Sequence, residues 1–173
     1  MGTDKAAIGD PPWAHRVAEA LAGAGCEPIL LLGRPRGDRV ALDRLEAGGW
    51  RLRCDRRPGA GPATAVADFL ADAWAEGRLA REPGLVVAAC DLPELRSTDV
   101  RQLAEAAIDA GGSAAFRVRG RAQLSLLALH SAEVARIART AFPAGLSLRE
   151  LVGDPVLVEP LDDRNVEDID EPR

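Results

Sequence analysis

The chain has 173 residues, of which 47% are hydrophobic and 28% are charged, and its formal net charge is −5. This length and apolar content predict one folded domain with a buried core and exclude a disordered chain. The mild acidity argues against nucleic acid as a partner. Because no apolar run has membrane-spanning length and no secretory signal opens the chain, we predict a cytoplasmic protein that contacts no membrane.

The first half of the chain contains one strong helical period. Val66, Phe69, Leu70 and Ala73 follow the i, i+3, i+4, i+7 spacing of an amphipathic helix. Before this helix, short runs that are apolar, or in which apolar and polar residues alternate, are typical of strands. Prolines that suit a first helical turn, followed later by a terminal glycine, indicate another helix near the start of the chain. The predicted elements are a helix over 11–24, a strand over 28–33, a short helix over 40–45, a strand over 50–54 and a helix over 63–79.

The second half alternates strands and helices. A helix over 98–110 carries an apolar stripe from Val100 to Ile108, and Ser147 with Glu150 forms a capping box. The other predicted elements are strands over 85–90, 113–118, 122–130 and 156–161, helices over 131–142 and 147–152, and an acidic tail. This alternation predicts an open α/β sheet with helices on both faces.

The stretch of residues 84–95, GLVVAACDLPEL, places an aspartate directly after an apolar run. The run predicts a strand that is buried on both faces, and Pro93 prevents the strand from continuing beyond Asp91. Ligands of open α/β sheets bind outside the carboxyl ends of the strands. Asp91 is therefore a candidate metal or substrate ligand, and the alternative is a solvated turn residue or a helix cap.

Carboxylates also follow the other predicted strands. Asp55 opens the loop DRRPGAGP, and the acidic tail follows the last strand. Carboxylates that meet at one edge of a sheet would suit Mg²⁺, which prefers oxygen ligands. Lys5, the one lysine of the chain, could bind phosphate, although an ordinary surface lysine is the alternative.

The sequence lacks several common catalytic signatures. It contains no P-loop, no G-x-G-x-x-G after a strand and no G-x-S-x-G elbow. His15 and His130 are interpreted as structural residues. The three cysteines, which lack the spacing of metal ligands, are predicted to be buried free thiols: Cys26, Cys54 and Cys90.

Four segments, in this order along the chain, resemble the MobA-like nucleotidyltransferase family. Residues 1–6 (MGTDKA) match M-G-x-D-K-A, and residues 55–62 match D-x-x-P-G-x-G-P. Residues 86–93 match V-V-x-x-x-D-[LM]-P. Residues 168–172 match D-[VI]-[DN]-T-P, with Glu171 where threonine is usual. Each segment alone is a weak signal, but four in order across nearly the whole chain are fairly specific.

The resemblance implies a three-layer Rossmann-like (GT-A-type) nucleotidyltransferase fold with a mostly parallel sheet. It implies transfer of GMP from GTP to a phosphorylated acceptor, with molybdopterin favoured, in the presence of Mg²⁺. No protein nucleophile is required. The roles it implies are magnesium ligation by Asp91 and Asp170, triphosphate contact by Lys5, and a nucleoside pocket lined by Asp55, Gly61 and Pro62.

The chain also departs from the family pattern. Family members begin with a strand and a glycine-rich loop, roughly L-A-G-G-x-S-x-R, immediately before the segment that here starts at Met1. We therefore expect one domain over 1–173 without that strand and without the family's final helix. We also expect open strand edges inside the sheet, and nucleotide binding that is weak or absent. Two alternatives remain open: a relative that uses another nucleotide or acceptor, and a non-catalytic remnant that acts in binding only.

Overall fold

The computed structural model describes residues 6, 8–33, 50–79 and 82–167. Its first half contains α1 (Trp13–Gly23), β1 (Leu30–Leu32), β2 (Arg51–Arg53), α2 (Pro62–Ala75) and β3 (Gly84–Ala88). Its second half contains α3 (Ser97–Ala110), β4 (Ser113–Val118), β5 (Arg121–His130), α4 (Ser131–Arg139), α5 (Leu148–Val152), β6 (Val156–Val158) and α6 (Asp163–Val166). The helix predicted over 40–45 lies outside the described residues.

The described strands form two sheets. One has two strands, β1 and β2, which pair in parallel. The other has four strands in the order β3-β5-β4-β6, and β4 pairs with β6 in parallel. Among the described residues these two groups of strands do not pair with each other.

β5 changes the sheet from parallel to mixed. It pairs antiparallel with both β3 and β4, whereas β3, β4 and β6 run in one direction. The reason is local: Arg119 and Gly120, both at positive φ, make a tight turn that folds β5 back along β4. The buried run of β3 had suggested a parallel neighbour, but its neighbour is this returning hairpin strand.

Helices cover both faces of the four-stranded sheet, which gives three layers. The two faces of β5 show this most clearly, because Leu127 and Leu129 pack on one core and Leu126 and Ala128 on the other. The first core includes residues of α2, α4 and α5, and the second includes residues of α1 and α3. The three-layer α/β fold is thus confirmed.

Two details of the predicted burial and one predicted helix end were wrong. Ile108 was expected in the buried stripe of α3, but its side chain is 51% exposed, since the stripe follows Val100, Leu103 and Ala107. α4 ends at Arg139, earlier than predicted. Cys54 is exposed rather than buried, because β2 ends at Arg53 and Cys54 lies in the segment that follows it.

The capping box predicted at α5 is confirmed. Ser147 Oγ accepts a hydrogen bond from Glu150 N–H at 3.2 Å, and Glu150 Oε2 accepts one from Ser147 N–H at 2.7 Å. Ser147 Oγ also donates to Glu150 Oε2 at 2.7 Å, and the two bonds that the Ser147 N–H and hydroxyl donate to this carboxylate lower its pKa. Within the described ranges no helix is both long enough and apolar enough to cross a membrane.

Candidate active site

Asp91 lies in the loop that leaves the carboxyl end of β3. The start of this loop extends the pairing of β3 with β5 by one hydrogen bond, which Ala89 N–H donates to Ser125 O at 2.7 Å. Asp91 itself is half-buried, and its Oδ1 is shielded from solvent. A carboxylate at this place, past the carboxyl end of a strand, matches where open α/β sheets bind their ligands.

Two leucines hold the Asp91 loop in place. Leu92 is fully buried and Leu95 is nearly so, and both pack on the core beneath α3. Leu95 N–H donates to Leu92 O at 3.1 Å, which closes a turn between them. The aspartate is therefore carried by a loop whose neighbouring side chains are anchored in the core.

The same loop ends in the first turn of α3. Asp99 Oδ2 accepts a hydrogen bond from Arg96 N–H at 3.2 Å, which caps the helix. The Asp99 residue is fully buried, and burial raises the pKa of its carboxyl. Asp99 thus fixes where the loop stops and the helix begins.

Asp55 lies two residues beyond β2, at the start of the Gly/Pro loop. It is half-buried, and within the part of the chain that the structure describes its Oδ1 is buried without a hydrogen-bond partner. A buried oxygen in this state loses its water without gaining a partner, which is costly. A carboxylate oxygen in this state, in a loop at a strand end, is well placed to accept a hydrogen bond from a ligand.

The backbone of the Gly/Pro loop (residues 55–62) can be approached closely by a ligand, and the loop leads directly into α2. Gly59 and Gly61 have φ of +82° and +89°, values that L side chains rarely adopt. Pro62 occupies the first position of α2, where a missing N–H costs nothing, and no side chain caps this helix. The backbone N–H groups in the first turn of α2 therefore find no hydrogen-bond acceptor in the side chain of the N-cap residue.

Three contacts brace this loop. Arg57 donates from Nε and Nη2 to the two carboxylate oxygens of Asp68, at 2.9 and 2.7 Å. Fully buried Thr64 donates from Oγ1 to Ala60 O at 2.8 Å. Gly145 N–H donates to Ala60 O at 3.1 Å and to Thr64 Oγ1 at 3.2 Å. The loop is thus tied both to α2 and to the segment that follows α4.

The sequence profile of the MobA-like NTP transferase domain matches residues 1–157. The chain belongs to this family. No protein with a curated description matches the chain. Among solved structures, the chain is similar to the crystal structure of 4-diphosphocytidyl-2C-methyl-D-erythritol synthase, with a TM-score of 0.68 and 16% identity. The alignment covers 97% of this chain and 90% of that one, and at this identity it shows a shared fold.

The structure of this MobA-like domain describes four of the six predicted site residues. Asp91 follows β3, and Asp55, Gly61 and Pro62 belong to the loop between β2 and α2. Lys5 and Asp170 lie outside the described residues. Within the described ranges no group of three or more His, Cys, Asp or Glu side chains could hold a metal ion. The roles of all six residues stay predictions.

Sequence reasoning missed the residues that support these two loops. Arg57 and Asp68 are 11 positions apart, and Thr64 and Gly145 are 81 apart, so no local pattern connects them. The only local signal was the position of Asp99, the third residue of a helix, where acidic side chains often cap. These residues act by positioning the loops.

Proposed function

We propose that this domain transfers GMP from GTP to a phosphate oxygen of molybdopterin and releases pyrophosphate. The family match over residues 1–157 makes the chain a nucleotidyltransferase-type domain. The observation that most supports a ligand site is Asp55 Oδ1, buried without a partner among the described residues beside the loop of Gly59 and Gly61.

In the proposed site, the loop of Gly61 and Pro62 receives the nucleoside, and Asp55 accepts hydrogen bonds from it. The uncapped first turn of α2 favours negative charge nearby, because its N–H groups point toward the loop. Lys5 neutralises the triphosphate as a compact cation. These assignments rest on the resemblance and on the shape of the described loop.

Asp91 and Asp170 would hold the magnesium ion of this proposal. Asp91 supplies a half-buried carboxylate just past a strand end, and carboxylate oxygens suit Mg²⁺. When bound, such an ion neutralises phosphate charge and helps align the reacting oxygens. The buried Leu92 and Leu95 keep the Asp91 loop in one position, so its carboxylate needs little reorganisation.

The proposed reaction forms one P–O bond and breaks another. An oxygen of the acceptor phosphate attacks the α-phosphorus of GTP, and the bond from that phosphorus to the β-phosphate oxygen breaks. Pyrophosphate leaves with the bonding electrons, and GMP joins the acceptor. Positioning and charge neutralisation account for most of the catalysis in phosphoryl chemistry, so the chain needs no covalent nucleophile.

Nuclear magnetic resonance can test the nucleotide site even if binding is weak. GTP with Mg²⁺ at millimolar concentration should shift the amide signals of residues 55–61 and 89–92. Asp55→Asn and Asp91→Asn should reduce those shifts. Asp109→Asn, the same charge change on the exposed face of α3, is the matched control and should leave them unchanged.

Pyrophosphate release with molybdopterin as acceptor tests the reaction itself. Asp91→Asn should lower the rate by at least about 100-fold, the cost of removing a positioned charge in a reacting site. Stronger shifts with CTP or ATP would indicate another nucleotide. If the domain bound nucleotide but released no pyrophosphate with any acceptor tested, it would be a domain that acts in binding only. No shift in either loop would contradict the proposed site.

A further inference from the structure

An open cleft lies between α1 and the start of α3. Its volume is about 580 Å³, and all of its lining residues belong to the described part of the chain. They come from one side of α1 and from residues 93–98, which join the Asp91 loop to α3. The two helices approach closely at Gly23, where an added Cβ would lie 3.2 Å from Ser97 Cβ. A cleft of this size can hold a small molecule.

The cleft is basic although the chain is acidic. It contains two arginines and one acidic residue, whereas the whole chain has a formal net charge of −5. Arg16 is half-buried, and among the described residues its guanidinium has no hydrogen-bond or ion-pair partner. Glu19, one turn further along α1, is exposed and does not pair with it. Because partial burial removes water from Arg16 without supplying a partner, an anion that enters the cleft is favoured.

Arg96 and two hydroxyl groups supply the other donors of the cleft. Arg96 is exposed, and its charge already acts on the carboxyl of Asp162, so Arg16 carries the charge that is not balanced. Neither Ser97 nor Thr98 has a hydrogen-bond partner for its hydroxyl within the described ranges. Guanidinium groups bind phosphate through paired hydrogen bonds, and the three free oxygens of a phosphate ester can accept from more of these donors than a carboxylate can.

The remainder of the cleft is apolar. Ala20 and Leu95 are buried, and half-buried Pro93 also lines it. A phosphate group alone would leave most of the volume empty, so this lining favours a ligand with a carbon-containing body. Pro93 and Leu95 belong to the loop of Asp91, and an occupant of the cleft would therefore contact that loop.

We propose that this cleft binds the phosphate group of a small phosphorylated molecule. The guanidinium groups contact the phosphate oxygens, the two hydroxyls donate to them, and the rest of the molecule lies on the apolar lining. Two sources carry such a group: the phosphorylated acceptor of the proposed reaction, and a separate small molecule that contacts the Asp91 loop. Only the first source rests on the proposed function, whereas binding in the cleft itself does not depend on it.

Inorganic phosphate is the first probe, added to the full chain at constant ionic strength with sodium chloride as the balancing salt. In NMR spectra, the side-chain Nε–H of Arg16 and the amides of residues 95–98 should shift and should saturate at millimolar phosphate. Sodium acetate under the same conditions should bind more weakly. Absence of a saturating shift at these signals, or equal binding of acetate, would contradict the phosphate site.

Charge-neutral variants show whether the arginines bind the phosphate. Arg16→Gln keeps most of the side-chain stem and should weaken phosphate binding by about tenfold or more, because a charged hydrogen-bond donor is lost. Arg16→Lys should recover only part of the affinity, since a point charge cannot form the paired bonds. Arg101→Gln, at an exposed position of α3 outside the cleft, is the matched control and should bind as the parent does. Equal affinities of the Arg16 and Arg101 variants would overturn the proposal.

Pyrophosphate release from GTP and molybdopterin distinguishes the two sources. If the acceptor occupies the cleft, Arg16→Gln should raise the KM for the acceptor by about tenfold and leave the KM for GTP unchanged. If a separate molecule occupies it, both KM values should stay unchanged while phosphate binding is lost. A chain that released no pyrophosphate would count against the proposed function, and the phosphate titration would still decide whether the cleft binds phosphate.

Discussion

Arg57 and Asp68 form a two-bonded ion pair that joins the Gly/Pro loop to α2, with Nε–Oδ2 and Nη2–Oδ1 distances of 2.9 and 2.7 Å. Arg57 Nη1 also donates to Phe142 O at 3.3 Å. One guanidinium therefore connects the loop, the helix that follows it and the segment after α4. The flat, five-donor head of arginine suits this use, and lysine could not reproduce it.

Arg57→Ala should loosen the Gly/Pro loop. We expect faster amide exchange at Ala60 and Gly145 and a lower melting temperature. Arg57→Lys should recover little of either, because a point charge cannot form the paired bonds. The matched control is Arg149→Ala, whose partner Asp154 is 3.5 Å away and fully exposed, and it should change neither measurement. Equal effects of the Arg57 and Arg149 variants would contradict the bracing role.

Asp99 should make stability depend on pH. Burial raises the pKa of its carboxyl above the ordinary value of 3.8, so the folded state binds this proton more tightly than the unfolded state. Its contribution to the free energy of unfolding therefore falls as pH rises from below 3.8 through the folded-state pKa. Asp99→Asn keeps an acceptor for the Arg96 N–H and removes this titration.

Urea unfolding of both proteins between about pH 3 and pH 7 measures the difference. The stability of Asp99→Asn relative to the parent should increase as pH rises across this window. Asp109→Asn, at an exposed site of the same helix, is the control and should show a flat difference. A relative stability of Asp99→Asn that decreased with pH would show that hydrogen bonds to the carboxylate outweigh its burial.

Asp162 should titrate far below an ordinary aspartate. Its Oδ1 and Oδ2 accept hydrogen bonds from the Arg164 side chain, which lowers the pKa of its carboxyl to about 2. The stability that this pair contributes is present above pH 3.8 and is lost as pH falls toward 2. A carbon-detected NMR titration should place the midpoint near 2. In Arg164→Gln the midpoint should move up toward 3.8.

Leu70 and Ile108 should respond very differently to truncation. Leu70 is fully buried between α2 and the sheet, so Leu70→Ala should lower the free energy of unfolding by about 2–5 kcal/mol. Ile108 is 51% exposed, so Ile108→Ala should change it by less than about 0.5 kcal/mol. Chemical denaturation measures both. A large loss at Ile108 would mean that another molecule covers this face of α3.

Most of the elements could be predicted because their signals are local. The helical spacing of Val66, Phe69 and Leu70 and the apolar run of β3 follow from the periods of helix and strand. Asp91 could be singled out because it follows directly on such a run. The exposure of Ile108 could not be predicted, since the width of a buried stripe depends on which neighbours cover the helix.

The sequence by itself determined the order of most helices and strands, most of the apolar face of each core, and the placement of Asp55 and Asp91 after strands. Tertiary structure alone decided that β5 returns between β3 and β4 and that Arg57 meets Asp68. The physical reason is range. Periodicity and capping act within a few residues, whereas strand neighbours and ion pairs join residues that are far apart in the chain.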